Sequence, residues 1–289
     1  MPPQSTRTNA QSPSSSFNPQ EQSVYIIRHG DRWDYQHPEW KETAERKGDP
    51  SLSSLGHEQA RQAGGFLDQL FVQEGIHADQ ITLLSSPFLR TIQTSNELLA
   101  EMKLTKCKGS TCSAADSIKI QPEFSVFEVD LRGQGYHASL PPQMNERQCY
   151  FPRIDGDYQT MFVPSLPEDK DQFFDRCDSA MEHIARNFPC DNEKHPVIIV
   201  VTHAACCIGL VKSAAGLELE DINPAAPCSI YRLRRTTNEN RWSVDHYSKK
   251  GGMNGFTGHM KDIGTCTQPW NNFGERDTDN GYTGPPKQD

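Results

Sequence analysis

Apolar residues recur along this chain in two patterns, short unbroken runs and longer stretches with three- and four-residue spacing, and their alternation predicts a sheet flanked by helices. Val24-Tyr25-Ile26-Ile27 is an apolar, β-branched and aromatic run of the kind that makes a buried strand, and it stops at Arg28-His29-Gly30. Ile81-Thr82-Leu83-Leu84 predicts a second strand, ending at Ser85-Ser86-Pro87. From Val197 to Val201 no polar residue interrupts the run, which suits a central parallel strand covered on both faces. It ends at Thr202-His203. Ile118 to Phe127 reads as a further strand and its exit, and Cys228–Arg234 with Trp242–Tyr247 as a closing antiparallel pair. Between these runs, Ser53 and Ser54 are N-cap candidates for a helix reaching about Glu74, with Ala60, Ala63, Phe66, Leu67, Leu70 and Phe71 on one stripe. Phe88–Met102, Glu168–Phe188 and Ala204–Ala215 are the other predicted helices. The fold class that follows is α/β, a three-layer α/β/α arrangement with a mostly parallel central sheet.

The weakly patterned stretches set the expected boundaries. Residues 1–22 are rich in Pro, Ser, Gln and Asn, with Phe17 the only large apolar side chain. They cannot offset their ordering entropy by burial, so a disordered tail is expected. A main domain is expected over 23–250, followed by a Gly-rich extension over 251–289 that wraps the surface or is partly disordered. Within the domain, residues 31–50 read as a loop carrying Trp33, Tyr35 and Trp40, a group expected to pack locally. Residues 103–117 also read as loop. Residues 134–166 form a long Pro- and Gly-rich segment, the kind that serves as a lid or a substrate-binding insertion.

A formal charge of −9 over 289 residues argues against nucleic acid as a partner, because that binding needs clustered Lys and Arg. Nine cysteines make an odd set with no CxxC pair, so free thiols in a reducing compartment are expected, although Cys107 and Cys112 are close enough for a loop disulfide. The N-terminus has no apolar signal core and no run is long enough to span a bilayer. A soluble intracellular protein is expected, in the cytosol first and the nucleus second. Nothing in the pattern sets an oligomeric state.

The chemistry collects at strand ends. In open parallel sheets ligands bind beyond the carboxyl edge of the strands. Three predicted strands end in Arg28-His29, in Ser85-Ser86 leading to Arg90, and in His203. Imidazoles beside guanidiniums make a poor metal site, since Arg repels a cation, and a good phosphate site, since Arg forks onto phosphate oxygens. No metal and no organic cofactor is expected.

Arg28-His29-Gly30, the run Ser85-Ser86-Pro87-Phe88-Leu89-Arg90-Thr91-Ile92-Gln93-Thr94, and Val201-Thr202-His203-Ala204 resemble, in order and spacing, the motifs of the histidine phosphatase (phosphoglycerate mutase-like) superfamily. Leu52 to Ala60 resembles that family's helix leading from the first active-site loop. The resemblance covers about Ser23 to Ala215 and implies a phosphoglycerate mutase-like fold. Arg32, Phe127-Glu128 and Trp270-Asn271-Asn272-Phe273 resemble the branch that holds the phosphatase domain of the suppressor of T-cell receptor signalling proteins and the ecdysteroid-phosphate phosphatases; Val129 stands where that branch has Trp. The resemblance implies that His29 is the nucleophile and becomes phosphohistidine. It gives Arg28, Arg32, Arg90 and His203 as phosphate ligands and Glu128 as general acid and base. Asp130 and Glu123 compete for that last role.

Bland readings stand beside each assignment. A lone His at a strand end is more often a structural residue, and Arg32 beside Asp31 could be a surface ion pair. Cys206 and Cys207 lack a cysteine-phosphatase setting and read as small buried helix residues. The expected activity is phosphomonoester hydrolysis on phosphoprotein or a small phosphorylated molecule, with no membrane and no nucleic acid partner. Two rivals are a phosphoglycerate mutase-type phosphotransferase, for which no second basic group shows in 134–166, and a weakly active interaction subunit using the fold as a platform.

Overall fold

A computed structural model describes residues 21–104, 117–130, 144–189, 196–236, 241–245 and 252–264. Its centre is a six-stranded sheet built from β1 (Glu21–Arg28), β2 (Ile81–Ser85), β3 (Ile120–Pro122), β4 (Val197–Thr202), β5 (Ile230–Thr236) and β6 (Ser243–Val244), in the order β3-β2-β4-β1-β5-β6. The pairs β3–β2, β2–β4 and β4–β1 are parallel, while β5 runs antiparallel to both β1 and β6. The helices are α1 (Trp33–Gln36), α2 (Trp40–Thr43), α3 (Ser54–Glu74), α4 (Leu89–Glu101), α5 (Met144–Gln148), α6 (Lys170–Asn187) and α7 (Ala204–Ala215).

Strand alternation divides the core in two. Val24 and Ile26 of β1, with Ile198 and Val200 of β4, face α6 and α7, where Phe173, Cys177, Ile184, Cys206 and Ile208 meet them. Tyr25 and Ile27, with Ile199 and Val201, face α3 and α4, packing on Ala63, Leu67, Phe71, Ile92 and Leu98. All of β4 is buried, which is why its run needs no polar alternation. The three-layer α/β/α sandwich with a mostly parallel sheet is thus present, and Cys206 and Cys207 are buried helix residues.

The predicted helices form with small shifts at their ends. Ser53 is the N-cap of α3, its side chain accepting from the Gly56 N–H at 3.1 Å. Asp169 caps α6 and exchanges bonds with Gln172, a capping box. Strand β1 starts at Glu21, because Gln22 is buried and its amide donates to the Phe188 carbonyl at 2.8 Å. Residues 31–50, read as loop, contain the one-turn helices α1 and α2; a single turn is too short to show a period. The strand read from Ile118 to Phe127 is only Ile120–Pro122. There the buried Glu123 carboxylate accepts from the Ser125 N–H at 2.8 Å and turns the chain into a 3₁₀ turn over Phe124–Val126. Residues 144–148 add α5 to the weakly patterned 134–166 segment.

In the C-terminal extension, residues 252–264 run against the sheet, with Phe256 bridged to Ile230. The Asp262 carbonyl accepts from Gln59 of α3 at 3.2 Å. The tail 1–20, the Cys107–Cys112 pair, and Trp270 through Phe273 lie outside the described residues.

Parallel register brings the carboxyl ends of three strands level: Arg28 stands opposite Thr202 and Ser85 opposite Val201. The loop after β1 then passes close over the start of α3. A Cβ on Gly56 would run into the Asp31 carbonyl oxygen, and one on Gly30 into the Gly56 backbone. Gly56→Ala should therefore destabilise the fold by about 1–3 kcal/mol or more, read as a lower urea midpoint. Gly65→Ala on the same helix, where a Cβ would meet nothing within 4 Å, should leave it unchanged or raise it by up to about 1 kcal/mol.

Candidate active site

His29 and His203 are the first residues beyond β1 and β4, and they are neighbours because those strands are. The His29 N–H donates to the Thr202 carbonyl at 2.9 Å. Their rings meet edge to face with centroids 5.4 Å apart, and both are buried. The His29 Nδ1 lies 2.7 Å from the Gly30 carbonyl oxygen. A carbonyl can only accept, so Nδ1 carries the proton and Nε2 keeps its lone pair. Burial pushes the His29 imidazole well below its usual range, and Arg90 and Arg28 push it the same way. The ring is neutral, the state a nitrogen nucleophile needs.

His203 is neutral for the same reason: burial lowers it, Arg90 adds to that, and Glu128 opposes. Its Nδ1 is 3.1 Å from Arg90 Nη2 and 3.1 Å from a Glu128 carboxylate oxygen. One ring nitrogen cannot serve both. Accepting from Arg90 leaves the proton on Nε2, 2.8 Å from the Ser86 hydroxyl; donating to Glu128 requires Ser86 to donate instead. A hydroxyl can do either, so Ser86 supports both tautomers and lets His203 present a donor when an oxyanion arrives.

The arginines are set by backbone and by one carboxylate. Arg28 donates to the Ala225 carbonyl at 2.8 Å and to the Tyr35 hydroxyl at 3.4 Å. Arg90, fully buried, donates through Nη1 to the Gly48 carbonyl at 3.1 Å and through Nη2 to Glu128 at 3.3 Å, and its guanidinium lies 4.5 Å over the Phe88 ring. Arg32 forks onto Asp34 at 2.9 and 2.7 Å and covers Tyr35. The carboxylate it forks onto is Asp34, and it is buried rather than a surface residue. It lies close enough to act electrostatically on His29, His203 and Glu128. All six sequence candidates therefore converge, Arg32 with its guanidinium also engaged by Asp34.

Burial works against the Glu128 carboxylate, but a hydrogen bond from the neutral His203 ring and the charges of the Arg90 and Arg32 guanidiniums outweigh it and hold the group below the usual carboxylate range. The competing Glu123 is committed elsewhere: its two oxygens accept from Ser125 N, Thr160 Oγ1, Tyr158 OH and Met161 N at 2.7–3.0 Å. Those bonds, with Thr202 Oγ1 donating to the Val126 carbonyl at 2.7 Å and Arg176 donating to the Ser125 and Phe127 carbonyls, fix the loop that carries Glu128. Asp130 is buried in the same loop, and its backbone carbonyl accepts from the Glu168 N–H at 3.4 Å.

The nearest ligand atoms of His29, Glu128 and His203 lie within 4.8 Å of one another, a spacing that could seat a cation. Arg90 touches two of the three, and Arg28 and Arg32 bear on the same point, so the local charge favours an anion. An oxyanion with several oxygens is the group that matches two imidazoles and three guanidiniums.

Sequence reasoning missed the supporting shell. Gln59 accepts from the Asp31 N–H at 2.8 Å, Ser53 Oγ donates to Asp31 at 2.7 Å, and Thr94 Oγ1 accepts from the Gly30 N–H at 3.1 Å. Tyr35, expected to pack locally, supports two arginines instead. The one legible signal was Gln59 itself, a polar residue on the buried stripe of α3 with Ala60 and Ala63.

A family model described as histidine phosphatase superfamily (branch 1) matches residues 24–109 and 141–249. Ubiquitin-associated and SH3 domain-containing protein A of Homo sapiens is 31% identical over 172 residues, which is 58% of this chain and 23% of that protein. Its Mus musculus counterpart is 29% identical over 178 residues, 58% of this chain and 24% of that one. The chain thus spans about a quarter of the length of these curated relatives. Among solved structures, the ecdysone phosphate phosphatase from Bombix mori, in complex with tungstate, matches with a TM-score of 0.56 at 20% identity, over 77% of this chain and 91% of that one. A phosphoglycerate mutase from Bacillus anthracis matches with a TM-score of 0.51 at 17% identity, over 81% and 94%. These two likenesses bear on the fold alone.

The depressed imidazoles fix a sign for pH dependence. His29 and His203 stay neutral when folded, whereas in the unfolded chain each takes a proton below about pH 6.5. Stability should therefore fall as pH drops from 6.5, by up to about 1.4 kcal/mol per pH unit for each ring. Urea unfolding at pH 7.5, 6 and 5 should show this slope, and His203→Gln should reduce it.

Proposed function

The chain belongs to the histidine phosphatase superfamily, branch 1, and on that premise we propose that it is a phosphomonoester hydrolase working through a phosphohistidine on His29. One observation carries the reading: a neutral His29, its Nδ1 proton held by the Gly30 carbonyl, stands beside His203 with Arg28, Arg90 and Arg32 bearing on the same point. Nε2 attacks phosphorus, and the P–Nε2 bond forms as the ester P–O bond breaks. Arg28, Arg90, Arg32 and His203 hold the equatorial oxygens, where transition-state charge gathers. Glu128 protonates the leaving oxygen. It then takes a proton from water as that water attacks phosphorus, the P–N bond breaks, and inorganic phosphate leaves.

Glu128 is ionised in the ligand-free site, whereas a general acid must carry a proton. The substrate supplies the correction. A phosphate dianion engages the guanidiniums that hold the carboxylate and adds negative charge beside it, so the acid gains its proton as substrate binds. We assign this chemistry to the unit expected over 23–250, buttressed by residues 252–264 through Gln59. The substrate class is a phosphoprotein carrying phosphotyrosine or a small phosphorylated metabolite.

His29→Ala should abolish hydrolysis of p-nitrophenyl phosphate and any acid-labile phosphate trapped on the protein, and unchanged turnover would sink the assignment. Assay beside phosphoglycerate separates hydrolysis from transfer, since a mutase would isomerise that compound. Glu128→Gln should lower turnover of alkyl phosphates roughly 10²–10⁴-fold and that of p-nitrophenyl phosphate far less, because a good leaving group needs no acid. Equal losses on both would move the acid role to another group.

A further inference from the structure

Arg90 is held from behind by a buried ion pair that belongs to none of the sequence motifs. Asp49 and Arg147 lie 98 residues apart in sequence, and their side chains are only 2% and 7% exposed. One Asp49 oxygen is bonded to Arg147 Nη2 on α5. The other accepts, at 2.6 Å, the N–H of Leu89, the residue before Arg90 and the first of α4. The Asp49 N–H closes a turn onto the Arg46 carbonyl at 3.0 Å, and the Gly48 carbonyl within that turn accepts Arg90 Nη1 at 3.1 Å. Asp49 thus grips the backbone beneath Arg90 with its side chain and positions the carbonyl that orients the guanidinium. Arg147 holds Asp49 in that place.

Planarity makes the arrangement consequential. A guanidinium fixed at Nη1 has its other nitrogens aimed, and Arg90 Nη2 points at His203 and Glu128, where a phosphate oxygen would sit. Resting on the phosphatase reading above, we propose that Asp49 and Arg147 are positioning residues, coupling α5 of the segment expected to bind substrate to the phosphate grip of Arg90. A shift of α5 would move Asp49, and with it both anchors of Arg90. Neither residue touches the substrate.

A purely structural ion pair would lower stability when broken and leave the oxyanion affinity of the folded protein alone. A positioning pair changes that affinity through Arg90. Inorganic phosphate binding by calorimetry, with kcat and KM for p-nitrophenyl phosphate, should be measured on the full chain for wild type, Arg147→Met, Arg147→Lys, Arg90→Lys and the double variant Arg90→Lys/Arg147→Met. Arg147→Met should weaken phosphate binding roughly tenfold, the scale of effect expected when a ligand-contacting group is misplaced by a fraction of an ångström. Arg147→Lys should recover most of the loss. In the Arg90→Lys background the Arg147→Met change should add less than about twofold, because the group it acts through has already been replaced. Losses that multiply in the double variant, or unchanged phosphate affinity with only a lower unfolding midpoint, overturn the coupling. If Arg147→Met does not fold, Asp49→Glu, which keeps both charges and displaces the carboxylate by one methylene, takes its place in the cycle. Wild-type protein that neither binds phosphate nor hydrolyses the ester would sink the phosphatase reading itself, a separate outcome.

Discussion

The parallel pairing of β1 with β4 is the constraint from which the site follows. Arg28 lies opposite Thr202, so the first residues past each strand, His29 and His203, are delivered side by side, with the His29 N–H bonded to the Thr202 carbonyl. A slip of one residue would turn every side chain of a strand to the other face of the sheet. It would exchange Val24 and Ile26 for Tyr25 and Ile27 across two different cores. Two tightly filled apolar layers therefore fix the register, and the register fixes the imidazoles. Core packing and site geometry are one problem here.

Positive charge is the second organising demand. Removing guanidinium groups from water is costly unless each finds acceptors. Arg28 donates to a main-chain carbonyl, which orients without neutralising, Arg90 to the Gly48 carbonyl and the Glu128 carboxylate, and Arg32 to the Asp34 carboxylate. The field at His29 and His203 thus stays positive even though the protein as a whole carries a formal charge of −9. Glu128 sits within that field as the one carboxylate that touches both Arg90 and His203 among the described residues. Burial and the guanidiniums together keep both imidazoles neutral, and the same guanidiniums keep the resting carboxylate ionised.

The elements that support the site are irregular. The Glu128 loop hangs on the four bonds of Glu123 and on Arg176, and the loop after β1 is held by Gln59, Ser53 and Thr94 from two helices. Close backbone approach at Gly30 and Gly56 lets that loop lie against α3. Such contacts hold the site's side chains at fixed distances while leaving the strands free to serve the core.

Most of the layer structure could be read in the chain because hydrophobic period reports burial directly. The unbroken run of β4, the stripe of α6 and the cap at Ser53 each carry their own cause in a few adjacent residues. The six residues that meet at the strand ends could also be named, because strand ends and linked motifs mark them. What the sequence could not show is every relation that spans distant segments: Arg32 choosing Asp34, Glu123 being fully occupied, Tyr35 bracing two arginines, and Asp49 joined to Arg147. A one-turn helix such as α1 shows no period, and a carboxylate carries no mark of whether it is structural or reactive. Local propensity and burial are properties of neighbouring residues, so the chain by itself determined the elements. Hydrogen-bond partnership and pKa depend on groups brought near only by folding, so the tertiary structure alone decided which charges are held by partners and which face the site.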